Sequence, residues 1–227
     1  MSARARWRWL WLVLLACSVN AMAVEEPSYQ VLSVQGEFEV RQYPSMLVAE
    51  TVVEGDMDEA SNKGFRLIAD FIFGNNQRAD AESSAKIAMT APVTVQPQPT
   101  KIAMTAPVIV EPQNAPANMT SAQSWRVRFV MPSQYTLENI PKPKNAAVKL
   151  VALPQRHFVV HRYSGFNTLS KVQRKTDETL QWVQSQGLVA LGAPQLSRYD
   201  PPWTLPMFKR NEIWIEIDAP SPPRPRR

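Results

Sequence analysis

Hydrophobic positions along the chain form two similar series, 110 residues apart. Segment 40–51, VRQYPSMLVAET, and segment 150–161, LVALPQRHFVVH, align without a gap, and each predicts a hairpin of a strand, a proline turn and a second strand. A stripe of apolar residues with helical spacing follows each segment and predicts helices over 57–73 and 168–186. Asp56 and Thr168 are predicted N-caps, and Gly74 and Gly187 are predicted stops.

The same shift predicts how each half continues after its helix. It aligns Ala91-Pro92 with Pro201-Pro202, and a strand pattern follows each pair, at 125–131 and 212–217. Each half is therefore predicted to be β-β-α-β-β, over about 36–132 and 146–218, and the two halves to pair around a shared core. The alternative is chance similarity between two ordinary α+β segments. The predicted fold class is α+β, with a twisted, β-barrel-like antiparallel sheet and two main helices.

A shorter repeat, KIAMTAPV, occurs at 86–93 and again at 101–108. Alternation within each copy predicts a strand with one apolar face, which carries Met89 in the first copy and Met104 in the second. Pro92 and Pro107 favour strand ends, because proline donates no ladder hydrogen bond.

The two ends of the chain differ from its body. Residues 1–23 contain three arginines, an apolar run at 9–17 and a small-residue site at 21–23, a pattern typical of an export signal. We expect cleavage after Ala23 and a single domain over 24–219, outside the cytoplasm and in the periplasm. The alternatives are a lipoprotein lipidated at Cys17, with the sequence LLAC, and an uncleaved anchor. The tail at 220–227 contains little but proline and arginine and is expected to be disordered.

Charge and cysteine content exclude several classes. The chain has a formal charge of +5, but both termini are basic and the body is close to neutral. The body therefore lacks the basic surface that nucleic-acid binding requires. One cysteine allows neither an intramolecular disulfide nor a cysteine-based zinc site.

Several segments resemble the SOUL family of heme-binding proteins. They are 37–51 (EFEVRQYPSMLVAET), 64–76 (GFRLIADFIFGNN), KIAMTAPV and, as the most specific, 199–217 (YDPPWTLPMFKRNEIWIEI). The resemblance covers about 28–218. It implies two pseudo-symmetric halves, distant kinship with bacterial drug-sensing domains, and non-catalytic binding of heme or another tetrapyrrole or amphipathic molecule. A membrane partner is expected only if Cys17 is lipidated or the signal is retained.

Two histidines are candidate axial ligands if heme is bound. His157 and His161 share strand parity and lie about 13 Å apart, so they cannot both bind one iron. Some family members have a histidine before the tyrosine of the first strand, but this chain has Gln42 there. Binding is therefore expected to rely on apolar enclosure in a cleft, with at most one protein ligand to iron.

Other candidate ligand contacts have ordinary structural alternatives. Thioethers can bind heme iron but more often fill cores, arginine and lysine can meet propionates, and tryptophans can stack on a macrocycle or fill a core. These candidates are Met89, Met104, Arg41, Lys63, Arg66, Trp125, Trp182, Trp203 and Trp214.

No motif of an enzyme is present. The sequence has no G-x-S-x-G, no H-E-x-x-H and no glycine-rich phosphate loop. A cleft hydrolase remains an alternative, with Glu50, Glu212 and Glu216 as possible acids or bases. A third hypothesis is an envelope interaction protein whose cleft is filled by its own side chains.

Overall fold

The computed structural model describes residues 24–78, 83–98, 119, 122–201 and 203–219, which form a curled antiparallel sheet with two helices. The strands are β1 Gln30–Gln35, β2 Phe38–Tyr43, β3 Met46–Glu54, β4 Asn76–Gln77, β5 Val93–Pro97, β6 Ser124–Val130, β7 Lys142–Pro143, β8 Lys149–Leu153, β9 Arg156–Tyr163, β10 Gln195–Arg198 and β11 Asn211–Ile217. The helices are α1 Met57–Ile72 and α2 Leu169–Ser185, and Pro206–Phe208 forms a 3-10 turn. The predicted signal, the second KIAMTAPV copy and the tail lie outside the described residues.

The order of the strands confirms the two pseudo-symmetric halves. Nine strands form one sheet in the order β1-β2-β9-β11-β10-β5-β6-β3-β8, and β4 pairs separately with β7. Exchanging β2 with β8, β3 with β9, β5 with β10 and β6 with β11 reverses this order and leaves every pairing intact, apart from the additional β1. The two halves are therefore related by a pseudo-twofold axis that passes between β5 and β10.

Strand pairing differs from the prediction in one respect. The proline turns at Pro44 and Pro154 were expected to close hairpins, but β2 does not pair with β3 and β8 does not pair with β9 within the described sheet. Instead β2 pairs with β9 and β3 pairs with β8, so each predicted hairpin is opened and exchanged between the halves. The sequence pattern marks strands and turns but does not select the partner of a strand, which is set by the shared core.

Both helices begin and end close to the predicted residues. Asp56 caps α1 by accepting hydrogen bonds from the backbone N–H groups of Asp58 and Glu59 at 3.0 and 2.8 Å. Thr168 caps α2 and accepts from the Lys171 N–H at 3.4 Å. Gly74 and Gly187 follow the two helices at φ values of 126° and 68°, a region that favours glycine and ends a helix.

The sheet buries side chains on both faces. On β9, Val159 and Tyr163 belong to the main core, which includes the buried faces of α1 and α2. Phe158 and Val160 point to the opposite face and pack with Tyr43 and Trp214 in a smaller cluster. This second cluster lies where the two halves meet, because β2, β9 and β11 are adjacent strands from different halves.

Two other predictions about strands are wrong. Residues 86–92 do not form a strand, and β5 begins only at Val93, so Met89 is 37% exposed although Ile87 and Ala91 are buried. The alignment of the two halves at a shift of 110 residues also breaks down after the helices. Ala91 precedes β5, whereas Pro201 follows β10, because the connections after the two helices differ in length.

Candidate functional site

A buried ion-pair network fills the second face of the sheet between the halves. Glu212 on β11 is fully buried and accepts hydrogen bonds from Arg41 on β2 at 3.1 and 3.3 Å. It also accepts from Arg210 at 3.0 Å, from the Tyr199 hydroxyl at 2.7 Å and from the Trp214 indole at 2.8 Å. Both carboxylate oxygens therefore have several donors, which is the condition for burying a charge.

The network keeps Glu212 ionised. Burial alone would raise the pKa of the Glu212 carboxyl, but the charges of Arg41 and Arg210 and the two neutral donors outweigh it and lower the pKa. Burial and the Glu212 charge raise the pKa of the Tyr199 hydroxyl, so Tyr199 remains a donor. A carboxylate held in this state is a poor general base, and Glu212 acts as a structural anion.

The residue before Glu212 organises the loops at one end of the sheet. Asn211 donates to the Gly165 carbonyl at 2.9 Å and accepts from Asn167 at 2.6 Å, and Asn167 accepts from the Tyr163 hydroxyl at 2.8 Å. The Gly165 N–H then donates to the Pro206 carbonyl at 2.9 Å. These hydrogen bonds hold the loop at 164–168 against the loop at 203–210.

The two joined loops form one wall of a surface hollow of about 420 Å³, and the turn between β1 and β2 forms the other wall. Its lining combines the Met207 thioether and the Phe208 ring with the cations Arg162, Lys209 and Arg210 and the acids Glu37 and Glu39. Both acids already contact cations: Glu39 accepts from Arg41 at 2.7 Å, and Glu37 lies 3.8 Å from Lys175. Arg162 is exposed and forms no ion pair within the described part of the chain.

A second hollow, of about 470 Å³, has the opposite charge. It lies beside the N-terminal segment, and its only charged lining residues within the described chain are Glu25 and Glu26. Met46, Met131 and Tyr135 supply apolar surface. An anionic tetrapyrrole would meet only carboxylates there, whereas in the first hollow, which we call the Met207 hollow, it would meet three cations beside two carboxylates that are paired with other cations.

Both histidines contact polar side chains of the protein. His161 is 1% exposed, and its Nδ1 and Nε2 atoms lie 3.1 Å from the Thr179 hydroxyl and 3.2 Å from the Glu37 carboxylate. Burial lowers the pKa of the His161 imidazole, although Glu37 opposes that shift. His157 is half-buried, and its Nε2 lies 3.3 Å from the Gln42 side-chain oxygen. Gln42, at the position of the missing histidine, thus contacts another candidate ligand.

The other sequence-predicted residues do not converge on one site. Arg41 is only 1% exposed, and its guanidinium donates to Glu39, Tyr43 and Glu212 inside the protein. Lys63 and Arg66 are exposed on α1, and Met89 lies near the surface on an irregular segment. Met104 lies outside the described residues.

The four tryptophans have different surroundings. Trp125 is buried and donates to the Gly55 carbonyl at 3.0 Å, and Trp214 donates to Glu212, so both have core roles. Trp182 stacks on Phe38 with ring centres 5.1 Å apart. Trp203 is 83% exposed, lies in the same loop as Met207 and does not line the Met207 hollow.

The three carboxylates of the hydrolase alternative are all paired. Glu50 accepts from Arg128 at 2.8 Å, and Glu216 accepts from Arg156 at 2.9 Å, in addition to the network of Glu212. No group of three His, Cys, Asp or Glu side chains within the described residues is arranged to hold a metal ion. No described helix is long and apolar enough to cross a membrane.

Sequence reasoning missed Met207, Phe208, Lys209 and Arg162 as candidates. Three of them lie in the segment PMFKR of the most specific motif, where they resemble ordinary loop residues. Exposure of Met207 and Phe208, at 67% and 70%, is the signal that distinguishes them, and exposure is visible only after folding. A run of Pro, Met and Phe directly before Lys-Arg was the one available hint.

The protein is an α+β domain of two duplicated β-β-α-β-β halves. The halves share one curled sheet and enclose a buried ion-pair network. A family model described as SOUL heme-binding protein matches residues 24–100 and 96–216. The chain therefore belongs to the SOUL family. A comparison with curated proteins gives no match.

Solved structures share this fold at low sequence identity. The C-terminal domain of EcmrR matches with a TM-score of 0.54 and 12% identity, over 84% of this chain and 98% of that chain. An uncharacterised conserved protein from Listeria innocua matches with a TM-score of 0.52 and 15% identity, over 80% and 92% of the two chains. A hydrolase from Listeria innocua matches with a TM-score of 0.50 and 14% identity, over 82% and 94%. At these identities the comparisons support the fold alone.

Proposed function

We propose that the protein binds heme or a related anionic tetrapyrrole, without catalysis, in the Met207 hollow. The observation that carries the proposal is the lining of that hollow, where Met207 and Phe208 lie beside three cations and two acids that are already paired with other cations. A tetrapyrrole presents a flat apolar face and acidic side chains, and this lining offers contacts to both. Membership of a family described as heme-binding supports the same ligand class.

Each residue has a distinct part in this proposal. Phe208 contacts the face of the macrocycle, and Arg162 and Lys209 bind the propionates through charge-assisted hydrogen bonds. The Met207 thioether is the one protein ligand proposed for the iron. Arg210 is held by Glu212 and Glu26, so it contributes less to anion binding than Arg162 and Lys209. Because the hollow is open to solvent, affinity is expected to be micromolar rather than nanomolar.

Titration of the purified protein with hemin, followed by the Soret band, tests the proposal. Met207→Leu keeps the volume but removes the sulfur, so it is expected to weaken binding severalfold and shift the Soret maximum. Arg162→Gln combined with Lys209→Gln is expected to weaken binding by about tenfold, because each of two solvent-exposed charge pairs contributes less than about 1 kcal/mol.

Matched controls identify the site. Met89→Leu removes a methionine sulfur from another segment that resembles the family, outside the Met207 hollow. His157→Ala removes the histidine that is more exposed of the two. Both variants are expected to bind hemin as the parent protein does. If either control loses affinity while the Met207 and Arg162 variants do not, the proposed site is wrong. If the parent protein shows no saturable Soret change, heme binding itself is wrong.

We further propose that the protein acts outside the cytoplasm and that its mature chain begins at Val24. The support is the pattern of residues 1–23, with basic, apolar and small-residue regions in order. Intact-mass measurement of the protein recovered from cells is expected to give the mass of residues 24–227. A diacylglyceryl adduct on Cys17 would replace this proposal with the lipoprotein alternative.

A further inference from the structure

Five large apolar side chains project from the two joined loops into solvent. They are exposed by 58% to 83% and comprise Phe166, Trp203, Leu205, Met207 and Phe208. Isolated exposed apolar residues are ordinary, but five on two adjacent loops form a patch of the kind that marks an interaction surface. We call these five residues the apolar loop surface.

The loops that carry this surface are held in place. The hydrogen bonds of Asn211 and Asn167 fix the loop at 164–168, and the bond from Gly165 to Pro206 fixes the second loop to it. The exposure of the apolar side chains is therefore a property of an ordered structure. Keeping them exposed costs free energy in water, which a partner that covers them would recover.

Three cations adjoin the apolar loop surface, and the two acids of the neighbouring Met207 hollow, Glu37 and Glu39, are paired with other cations. The Lys209 ammonium lies 5.5 Å from the centre of the Phe166 ring, and the Lys171 ammonium donates to the Ser164 carbonyl at 2.7 Å. Arg162 lies at the adjoining edge, in the lining of the Met207 hollow. Asp200, the acid nearest in sequence to Trp203, accepts from the Arg210 backbone N–H at 2.5 Å.

We propose that the apolar loop surface docks on an anionic lipid bilayer. Tryptophan, phenylalanine, leucine and methionine side chains that project singly from loop tips insert at the boundary between headgroups and acyl chains, and flanking lysine and arginine attract anionic headgroups. The charge of the surrounding residues therefore selects a negatively charged membrane over a neutral one. This proposal does not depend on heme binding.

Vesicles of phosphatidylglycerol with phosphatidylcholine test the proposal, with no hemin present. A fluorophore on Leu205→Cys is expected to be quenched by spin-labelled lipid several times more strongly than the same fluorophore on Leu191→Cys. Leu191 is a matched control because it is 40% exposed in an apolar loop, 187–193, that contains no lysine or arginine. This readout holds even if the N-terminal segment attaches the protein to the vesicle, because it reports which surface faces the lipid.

Cosedimentation with the same vesicles gives an independent measurement. Trp203→Ser with Leu205→Ser is expected to lower the partition constant by about tenfold or more, because two large apolar side chains no longer insert. Val189→Ser with Leu191→Ser is expected to leave the constant unchanged. High salt or pure phosphatidylcholine is expected to weaken binding of the parent protein by about fivefold for each cation that contacts the headgroups.

Three results would overturn the proposal. The first is equal quenching at positions 205 and 191, and the second is equal loss of binding in the two double variants. The third is protection of the fluorophore at 205 from aqueous iodide without vesicles, with a dimer in sedimentation. That result would assign the surface to a second copy of the chain.

Discussion

Glu212→Gln is expected to destabilise the protein by about 3–5 kcal/mol, the range measured when one partner of a buried ion pair is removed. The substitution keeps the size of the side chain but leaves Arg41, which is 1% exposed, and Arg210 with a neutral partner. Their remaining acids, Glu39 and Glu26, are partly exposed and compensate less well. Urea unfolding followed by circular dichroism measures the loss.

Glu178→Gln is the matched control for this loss. Glu178 pairs with Lys175 at 2.8 Å but is 40% exposed, so the same change there is expected to cost less than about 1 kcal/mol. Similar losses for the two variants would contradict a special role for the buried network and indicate that water reaches Glu212.

Acid is expected to remove the same stabilisation. Because the pKa of Glu212 is lower in the folded protein than its usual value near 4.5, the unfolded chain binds the proton more readily. The contribution of Glu212 is therefore fully present above about pH 4.5 and is lost as the pH falls through the folded value. The Glu212→Gln variant should show a smaller loss of stability between pH 5 and pH 3 than the parent protein, measured from its urea midpoints.

Gly64→Ala is expected to destabilise the protein by about 1–3 kcal/mol, the usual cost of overpacking. Gly64 is buried where α1 packs against β6, and an added Cβ would lie 2.4 Å from Cγ2 of Val127. In an exposed helix the same substitution would stabilise the protein by about 1 kcal/mol. A loss of stability therefore indicates that the added Cβ meets Val127. Thermal or urea unfolding measures the effect.

Two further variants test the cause. Asn62→Ala changes an exposed position two residues earlier in α1 and is expected to be neutral or slightly stabilising. Val127→Ala combined with Gly64→Ala should cost less than the sum of the two single variants, because Val127→Ala removes the methyl groups that the added Cβ would meet and the Cβ fills part of the space they leave. An additive result would show that the helix moves away instead.

Local signals predicted the fold well. Asp56, Thr168, Gly74 and Gly187 mark the helix ends because caps and left-handed glycines act within a few residues of the chain. The duplicated order of elements also follows from local patterns. The exchange of β2 and β3 between the halves could not be predicted, because a strand pattern carries no information on its partner.

The candidate site was much less predictable. Arg41 resembled an available cation, but its partner Glu212 lies 171 residues away, and only folding brings them together. Met89 was expected on an apolar strand face, but its segment is irregular and its side chain is partly exposed. The exposure of Met207 and Phe208 depends on hydrogen bonds from Asn211, in a different element, and no local pattern encodes it.

The exchange of strands between the halves also affects when the protein can fold. The pairs β2–β9, β3–β8 and β5–β10 join residues about 100 or more positions apart, so neither half can complete its part of the sheet alone. Contacts this distant in sequence slow folding, because loop-closure entropy is lost before they form. During synthesis the first half must wait, with unpaired strand edges, until its partner strands β8, β9 and β10 have left the ribosome. A chain destined for export would stay unfolded for longer as a result, which suits passage through a channel that accepts unfolded chains.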